Sequence, residues 1–323
     1  MKTIIRQFGL LTLALVLTGV SAQAAPGGWD RVDKAKPKQV LFFTKSSGFE
    51  HSVVKRTAPD QLSHAEKLMT EWGVTNGFSV TCTKDGGVFT AANLAKYDVI
   101  CFYTSGMLTD IGTDKQPAIP VAGKQLLLEA IRNGKGFVGL HPSTDCFHHQ
   151  PEPADRSTRY QAYGADSDPY TAMIGGEFIR HGAQQKARVT TADAAFPGCE
   201  HLKGGFELHE EWYTLKDFAL DMHALLILET KGMKGIDYQR APFPISWARP
   251  HGKGRVFYTA MGHREDVWTN PLFINHVVGG LGWAAGNVGA EVTPNLEQVA
   301  PGFREIQPQE PKKPAAPAAP AAK

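Results

Sequence analysis

Four histidines stand where an α/β chain could bring them together, because each follows an apolar run or lies in a glycine-rich loop. Imidazole nitrogens transfer protons near neutral pH, and they are common ligands of divalent metal ions. A single histidine at the end of a strand usually bonds a nearby backbone group, but that explanation weakens when four occupy equivalent positions. The four are His51, His141, His181 and His263.

Carboxylates accompany these histidines in two places. Asp145 follows His141 closely, and Glu210 and Glu211 stand side by side in the segment Leu-His-Glu-Glu-Trp-Tyr. A histidine and a glutamate could transfer protons without a metal, or the same residues could bind a divalent ion. Of the divalent ions, zinc suits nitrogen and carboxylate ligands best. The sequence has no compact motif such as HExxH, so either site must be assembled from distant loops, and the residues leave both possibilities open.

The elements that would assemble such a site are strands that end near one another. Residues 136–140 form a short apolar run between turn residues, which predicts a strand buried on both faces, and His141 follows it directly. In open α/β sheets, ligands bind just beyond the carboxyl ends of the strands. His141 occupies the turn where such folds present a nucleophile, and the sequence has no Gly-x-Ser-x-Gly motif. Cys146 lies too far beyond the end of the strand to be presented on that turn, so acyl transfer is disfavoured.

Strands and helices alternate through the first half of the chain. The apolar runs predict buried strands at 39–44, 78–83, 98–103 and 136–140, and helices at 59–72, 91–96 and 121–132. Gly73 is the predicted stop of the first helix. Alternation favours parallel pairing with right-handed crossovers, which leaves the loops after the strands on one edge. Further strands, several of them antiparallel, and a last helix are predicted at 186–190, 206–213, 225–229, 245–249, 255–259 and 271–283.

The pattern loosens between residues 148 and 182 into a polar, glycine-containing segment with several tyrosines. A stretch this long without regular structure is usually functional or disordered, and its aromatic residues favour order. We expect it to cover the site. His148 and His149 are interpreted as solvated loop residues.

The two ends of the chain are predicted to lie outside the fold. Residues 1–24 combine basic residues, an apolar stretch and a small-x-small cleavage site, which predicts a secretory signal peptide and a periplasmic or secreted protein. Residues 25–37 are an N-terminal extension, and residues 38–286 form one α/β domain. Residues 287–323 are a C-terminal extension whose Pro/Ala-rich tail is predicted to be flexible. No later stretch is apolar enough to span a membrane.

Composition argues against some partners and leaves the cysteines open. The 34 basic and 32 acidic residues give a formal net charge of +2, and no basic cluster interleaves with aromatic residues, which argues against nucleic acid as a partner. The four cysteines could pair in an oxidising compartment. Cys146 with Cys199 is the favoured pair because both lie in predicted loops, and buried free thiols are the alternative.

Six segments, taken in order, resemble the ThuA-like (trehalose utilisation) family. The resemblance implies a flavodoxin-like fold similar to class I glutamine amidotransferases, without the amidotransferase nucleophile, and an association with disaccharide breakdown through 3-keto sugars. Glu50 stands where the family would have Arg, and Glu210 where Asp is commoner. The segments are 45–51, 136–141, 175–181, 210–213, 244–247, and 252–258 followed by Gly262-His263.

We therefore expect an exported enzyme that acts on a disaccharide or 3-keto glycoside by hydrolysis, elimination or isomerisation, and not a glutamine amidotransferase. His141 and Glu211 are the predicted acid/base pair, and His51, His181 and His263 the predicted ligands of a divalent metal, zinc first. A non-catalytic carbohydrate-binding or scaffolding protein on the same fold is the alternative. The residues predicted to bind the small-molecule carbohydrate are Ser46, His51, Ser105, Asp145, Tyr213 and Arg264.

Overall fold

A nine-stranded sheet organises the computed structural model, which describes residues 36–148 and 159–309 of the chain. The strands of the described residues are β1 (Lys38–Phe43), β2 (Phe78–Thr83), β3 (Val99–Phe102), β4 (Gly136–Leu140), β5 (Glu177–His181), β6 (Gln185–Thr191), β7 (Phe206–Glu210), β8 (Tyr213–Lys216), β9 (His223–Leu228), β10 (Phe243–His251) and β11 (Gly254–Thr259). The helices are α1 (His64–Asn76), α2 (Ala91–Leu94), α3 (Val121–Arg132), α4 (Pro169–Ile174), α5 (Glu265–Trp268), α6 (Pro271–Ala284) and α7 (Leu296–Val299).

The sheet has a parallel half and an antiparallel half, in the order β2-β1-β3-β4-β11-β10-β9-β6-β7. All pairings from β2 to β11 are parallel, and all those from β11 to β7 are antiparallel. The carboxyl ends of β1, β3, β4 and β11 therefore share one edge, and β7 runs in the same direction. This confirms the predicted α/β class, with a doubly wound parallel sheet and additional antiparallel strands.

Helix α1 begins and ends at different residues from those predicted. The Ser63 hydroxyl accepts a hydrogen bond from the Glu66 N–H, and the Glu66 carboxylate accepts one from the Ser63 N–H, so the helix begins at His64 and not at residue 59. Gly73 was wrongly predicted as its stop. The helix ends at Asn76 and is capped by Gly77, which has a positive φ of 74°. Gly73 instead permits close packing, since a Cβ there would lie 2.6 Å from the Phe78 carbonyl oxygen.

The single strand predicted at 206–213 is wrong, because the chain breaks there into two strands of different sheets. β7 pairs with β6 at the edge of the large sheet, whereas β8 pairs with β5 in a separate two-stranded sheet. β5 lies in the segment that the sequence pattern left irregular. Trp212 anchors the break, as its buried indole N–H donates to the Gln185 carbonyl oxygen at 2.9 Å. Glu211 is thus carried on a link between strands.

The covering segment and the chain ends are described only in part. Residues 149–158, 1–35 and 310–323 lie outside the described residues, so the predicted signal peptide and most of the predicted tail do too. Within the C-terminal extension, Leu296, Ala300 and Phe303 are buried in the core. Across the part of the chain that the structure describes, no helix combines the length and apolar character needed to cross a membrane.

The four cysteines are free thiols, so the predicted Cys146–Cys199 bridge is wrong. The Cys146 thiol is buried against Thr104, and the Cys199 thiol lies 3.4 Å from His276 Nδ1. Burial raises the pKa of both thiols well above its ordinary value. A buried protonated thiol is a poor nucleophile, which agrees with the prediction that Cys146 does not carry an acyl-transfer reaction.

Candidate metal centre

Three histidines and one glutamate converge at the carboxyl edge of the sheet. His51 follows β1, His141 follows β4, His263 follows β11, and Glu211 lies on the link after β7. One ligand atom from each residue lies within 4.8 Å of the others. These four residues are called the histidine–glutamate group below.

His141 is oriented by the backbone around it. Its Nδ1 lies 2.7 Å from the Ala260 carbonyl oxygen, and because a carbonyl only accepts, Nδ1 carries the hydrogen and Nε2 presents its lone pair to the group. The residue has a positive φ of 39°, an uncommon conformation for a residue with a side chain. The Tyr258 hydroxyl donates to the His141 carbonyl oxygen at 2.8 Å and holds the turn in place.

The nitrogen and oxygen atoms at the centre of the group are in close contact. His263 Nδ1 lies 3.3 Å from His141 Nε2 and 3.0 Å from Glu211 Oε2, and that oxygen is 3.6 Å from His141 Nε2. Burial lowers the pKa of His141. Burial opposes ionisation of Glu211, but its contacts with the two histidines prevail and lower the pKa of that carboxyl well below its usual range. Burial likewise opposes charge on His263, whereas Glu211 raises the pKa of its imidazole overall.

Glu210 joins the two loops that carry Glu211 and His263. One of its carboxylate oxygens accepts a hydrogen bond from the Glu211 N–H at 2.8 Å, and the other accepts one from the Gly262 N–H at 3.0 Å. Burial raises the pKa of Glu210 to about 7. The sequence analysis placed Glu210 among the carboxylates near the histidines and as a departure from the family pattern, but it did not predict that Glu210 would join the two loops.

His51 contributes a buried nitrogen that lacks a hydrogen-bond partner. Its ring centroid lies 5.0 Å from that of His141 and 5.1 Å from that of His263. Nε2 is 3.4 Å from the Tyr213 hydroxyl, whereas Nδ1 has no partner among the described residues. Burial lowers the pKa of His51 well below its usual value. An unsatisfied buried nitrogen is costly unless a ligand uses its lone pair.

The group fits a zinc-sized ion. Zinc lies about 2.0–2.2 Å from nitrogen and oxygen ligands, and a tetrahedron of that size places its ligand atoms roughly 3.3–3.6 Å apart. The 3.3 Å separation between His141 Nε2 and His263 Nδ1 agrees with that range, and Glu211 Oε2 lies beside both nitrogens, at 3.6 Å from His141 Nε2 and 3.0 Å from His263 Nδ1. The orphaned Nδ1 of His51 and the nitrogen-rich donor set agree with the same ion.

His181, predicted as a metal ligand, lies beside the group and not in it. Its Nδ1 is 3.3 Å from Glu211 Oε1, the carboxylate oxygen that faces away from His263. Its side chain is 42% exposed, and its ring stacks on that of Tyr213 at 5.8 Å. The structure therefore places His181 at the outer side of Glu211. The ring centroid of Tyr213, predicted to bind substrate, lies 4.2 Å from that of His141.

Other residues predicted to bind substrate hold the surrounding loops. The Ser46 N–H donates to Asp114 Oδ2 at 2.8 Å, and the Ser105 hydroxyl donates to the Phe49 carbonyl oxygen at 2.7 Å. Both serines are buried. Arg264 is on the surface beside His263, where it donates to Gln184 Oε1 at 2.8 Å.

Asp145 belongs to a second cluster, the His148 cluster, which consists of Asp145, His148 and Glu177. His148 Nε2 lies 2.6 Å from Asp145 Oδ1, and Nδ1 lies 2.7 Å from Glu177 Oε1. Burial opposes charge on His148, yet the two carboxylates prevail and raise its pKa to about 9. The interpretation of His148 as a solvated residue is wrong, since it is buried and paired on both nitrogens.

A separate cavity of about 490 Å³ contains none of these residues. Its lining is mainly apolar and includes Phe218, Leu220 and Phe303. The charged residues of its lining are Lys216, Asp217 and Arg304, and none of the described lining residues is a histidine or a cysteine.

Comparisons with known proteins agree with the fold. The model of the ThuA family, described as trehalose utilisation, matches residues 39–284. A putative ThuA-like protein from Bacteroides uniformis has a similar structure, with a TM-score of 0.53 and 18% identity over 77% of this chain and 91% of that one. One from Parabacteroides merdae has a TM-score of 0.51 and 16% identity over 84% and 97%. A comparison with curated proteins gives no match.

Proposed function

The chain belongs to the ThuA family, and we propose that it is an exported, metal-dependent enzyme of sugar catabolism. The proposed substrate is a disaccharide or its 3-keto form, and the proposed reaction is hydrolysis, elimination or isomerisation with proton transfer at the sugar. The observation that carries the proposal is the convergence of three imidazoles and one carboxylate at the carboxyl edge of the sheet.

His51, His141 and His263 are the proposed ligands of the metal, and zinc is the proposed ion. Three protein ligands leave a position open for substrate, whereas four would close the site as in structural zinc centres. Zinc in such a site supplies a Lewis acid that polarises a carbonyl or hydroxyl oxygen of the substrate. The contact with Ala260 supports His141 as a ligand, because the Ala260 carbonyl keeps the hydrogen of His141 on Nδ1 and leaves Nε2 free to bind.

Glu211 is the proposed acid/base residue. Its Oε2 lies within the group, while Oε1 lies 3.3 Å from Nδ1 of the partly exposed His181, which offers a route for a proton to the outside. Most glycosidases place two carboxyl groups across the bond that breaks. Here both oxygens of Glu210 accept backbone hydrogen bonds, so Glu211 is the carboxylate that remains available in the group. A single carboxylate favours metal assistance over the two-carboxylate mechanism.

Metal analysis of the purified full chain, followed by product analysis on trehalose and its 3-keto form, tests the proposal. We expect about one zinc per chain, with turnover that a chelator removes and added zinc restores. Glu211→Gln should retain the metal and lose turnover, because an amide cannot take up the proton. Glu207→Gln is the matched control, since Glu207 is exposed on β7, which leads into the link that carries Glu211, and pairs with Lys186.

Two results would count against the proposal in different ways. A chain that binds no divalent metal after reconstitution would contradict the metal centre. Sugar binding without turnover by the metal-loaded chain would instead favour a non-catalytic carbohydrate-binding protein.

A further inference from the structure

Phe49 is a large aromatic side chain held in solvent beside the histidine–glutamate group. Phe49 is 67% exposed, and its ring centroid is 5.0 Å from that of His51, in an edge-to-face arrangement. The ring centroid of His51 in turn lies 5.0 Å from that of His141 and 5.1 Å from that of His263. The phenyl ring is therefore next to the proposed reaction centre, and most of its surface is free.

The loop that carries Phe49 is fixed on both sides. The N–H groups of Ser47 and Gly48 donate to the Ser105 carbonyl oxygen at 2.7 and 3.0 Å, and the Ser105 hydroxyl donates to the Phe49 carbonyl oxygen at 2.7 Å. The Thr113 hydroxyl donates to the Gly48 carbonyl oxygen at 2.6 Å. The position of the ring is thus set by backbone contacts and does not depend on burial of the ring itself.

Isolated exposed apolar residues are common on proteins and need no explanation by themselves. The other large exposed apolar residues of the described chain are aliphatic: Val74, Ile111, Val121 and Leu220. Phe49 differs from them because it is aromatic, lies on a fixed loop and borders a buried polar centre. Binding sites for small molecules commonly combine such apolar or aromatic walls with a few convergent polar groups.

We propose that Phe49 is the platform for a sugar ring next to the one that reacts. The flat face of a pyranose carries C–H groups that pack against an aromatic face, while its hydroxyls remain at the edge for water. With one ring of a disaccharide at the histidine–glutamate group, the adjoining ring lies against Phe49. This assignment rests on the proposed function and makes a two-ring saccharide the preferred ligand over a monosaccharide.

Calorimetric titration of the zinc-loaded full chain with trehalose and with glucose tests the platform. Phe49→Ala should weaken trehalose binding about five- to tenfold and glucose binding much less, with zinc content unchanged. Phe49→Trp should retain trehalose binding, and Phe49→Leu, which keeps an apolar cover over His51 without an aromatic face, should behave like Phe49→Ala. Leu220→Ala, an exposed residue of the separate apolar cavity, is the control and should bind as wild type.

The outcomes separate this inference from the proposed function. Wild-type binding of trehalose together with equal binding by Phe49→Ala or Phe49→Leu overturns the platform and leaves the metal centre intact. If Phe49→Ala loses zinc, trehalose binding by Phe49→Leu and Phe49→Trp is compared instead, because both side chains keep His51 covered. Equal trehalose binding by these two variants overturns the platform. A zinc-loaded wild type that binds neither sugar overturns both the platform and the proposed carbohydrate substrate.

Discussion

Two buried histidine clusters in this protein are built with opposite ratios of imidazole to carboxylate. In the histidine–glutamate group, three imidazoles share one carboxylate, and burial lowers the pKa of His51 and of His141. In the His148 cluster, two carboxylates flank one imidazole, and although burial opposes charge, they raise the pKa of His148 to about 9. His51, His141 and His148 are all buried, so the opposite directions of their pKa shifts come from their neighbours.

The contrast shows why one cluster suits a metal and the other does not. A metal ligand must offer an imidazole lone pair, which Nε2 of His141 does, and Nδ1 of His51 is buried with no hydrogen-bond partner among the described residues. Both nitrogens of His148 face carboxylate oxygens and carry hydrogens, so that residue is a buried cation that joins two segments. Histidine thus offers metal ligands in the histidine–glutamate group, whereas in the His148 cluster it holds two segments of the chain together.

Removal of one imidazole from the histidine–glutamate group should have the largest effect on metal binding. His263→Ala is expected to lower zinc affinity at least about a hundredfold, because each ligand supplies a substantial share of the binding free energy. Competition with a chromophoric chelator measures the change. His201→Gln, at an exposed histidine, is the control. Wild-type affinity in His263→Ala would mean that zinc binds elsewhere.

The His148 cluster should respond in stability and not in metal binding. The folded pKa of about 9 lies above the ordinary value of 6.5, so the stabilisation is fully present below pH 6.5 and is lost as the pH rises through 9. The excess stability of wild type over His148→Gln should therefore shrink by about 3 kcal/mol between pH 6 and pH 10.

Urea unfolding across that pH range measures this difference, with His201→Gln as the exposed control. A difference between wild type and His148→Gln that is independent of pH would show that His148 does not carry a charge in the folded protein. A loss of zinc from a folded His148→Gln variant would erase the contrast between the two clusters.

Glu210 should have an intermediate effect, because it orients ligands without touching the metal. Glu210→Gln replaces one oxygen that accepts from the backbone N–H of Glu211 or Gly262 with an NH₂ group, and it is expected to weaken zinc binding about tenfold. Isothermal titration of the metal-free chain with zinc measures it. Glu207→Gln on the same strand is the matched control. Equal zinc affinities of the two variants would show that Glu210 does not orient the ligands.

His181 should have the smallest effect on the metal, which sharpens the boundary of the group. His181→Ala is expected to change zinc affinity by about threefold or less, because a partly exposed pair contributes little. Turnover should fall more than zinc affinity if His181 carries protons from Glu211. A loss of zinc as large as that in His263→Ala would restore His181 to the ligand set predicted from the sequence.

Much of the fold was predictable because its strands are short apolar runs with turn residues at both ends. The strand at 136–140 and the helix at 121–132 have the predicted bounds, and the fold class and the family are confirmed. No observation tests the predicted division of the site, in which His141 and Glu211 were catalytic and His51, His181 and His263 were the metal ligands. The proposed function departs from it by placing His141 among the ligands in place of His181. Glu211 shows the limit, since its segment alternates like one strand and the break after Glu210 depends on which sheets the two halves join.

The sequence by itself determined the edge at which chemistry is placed, since apolar periodicity reports burial along a local stretch of chain. It also determined that His51, His141 and His263 follow strands. Only the tertiary structure decided that Glu211 reaches the same point, because an antiparallel path through β10, β9 and β6 aligns the end of β7 with that edge. It likewise decided the charge of His148, because Asp145 and Glu177 together raise its pKa, and no local pattern places the Glu177 carboxylate of β5 beside it.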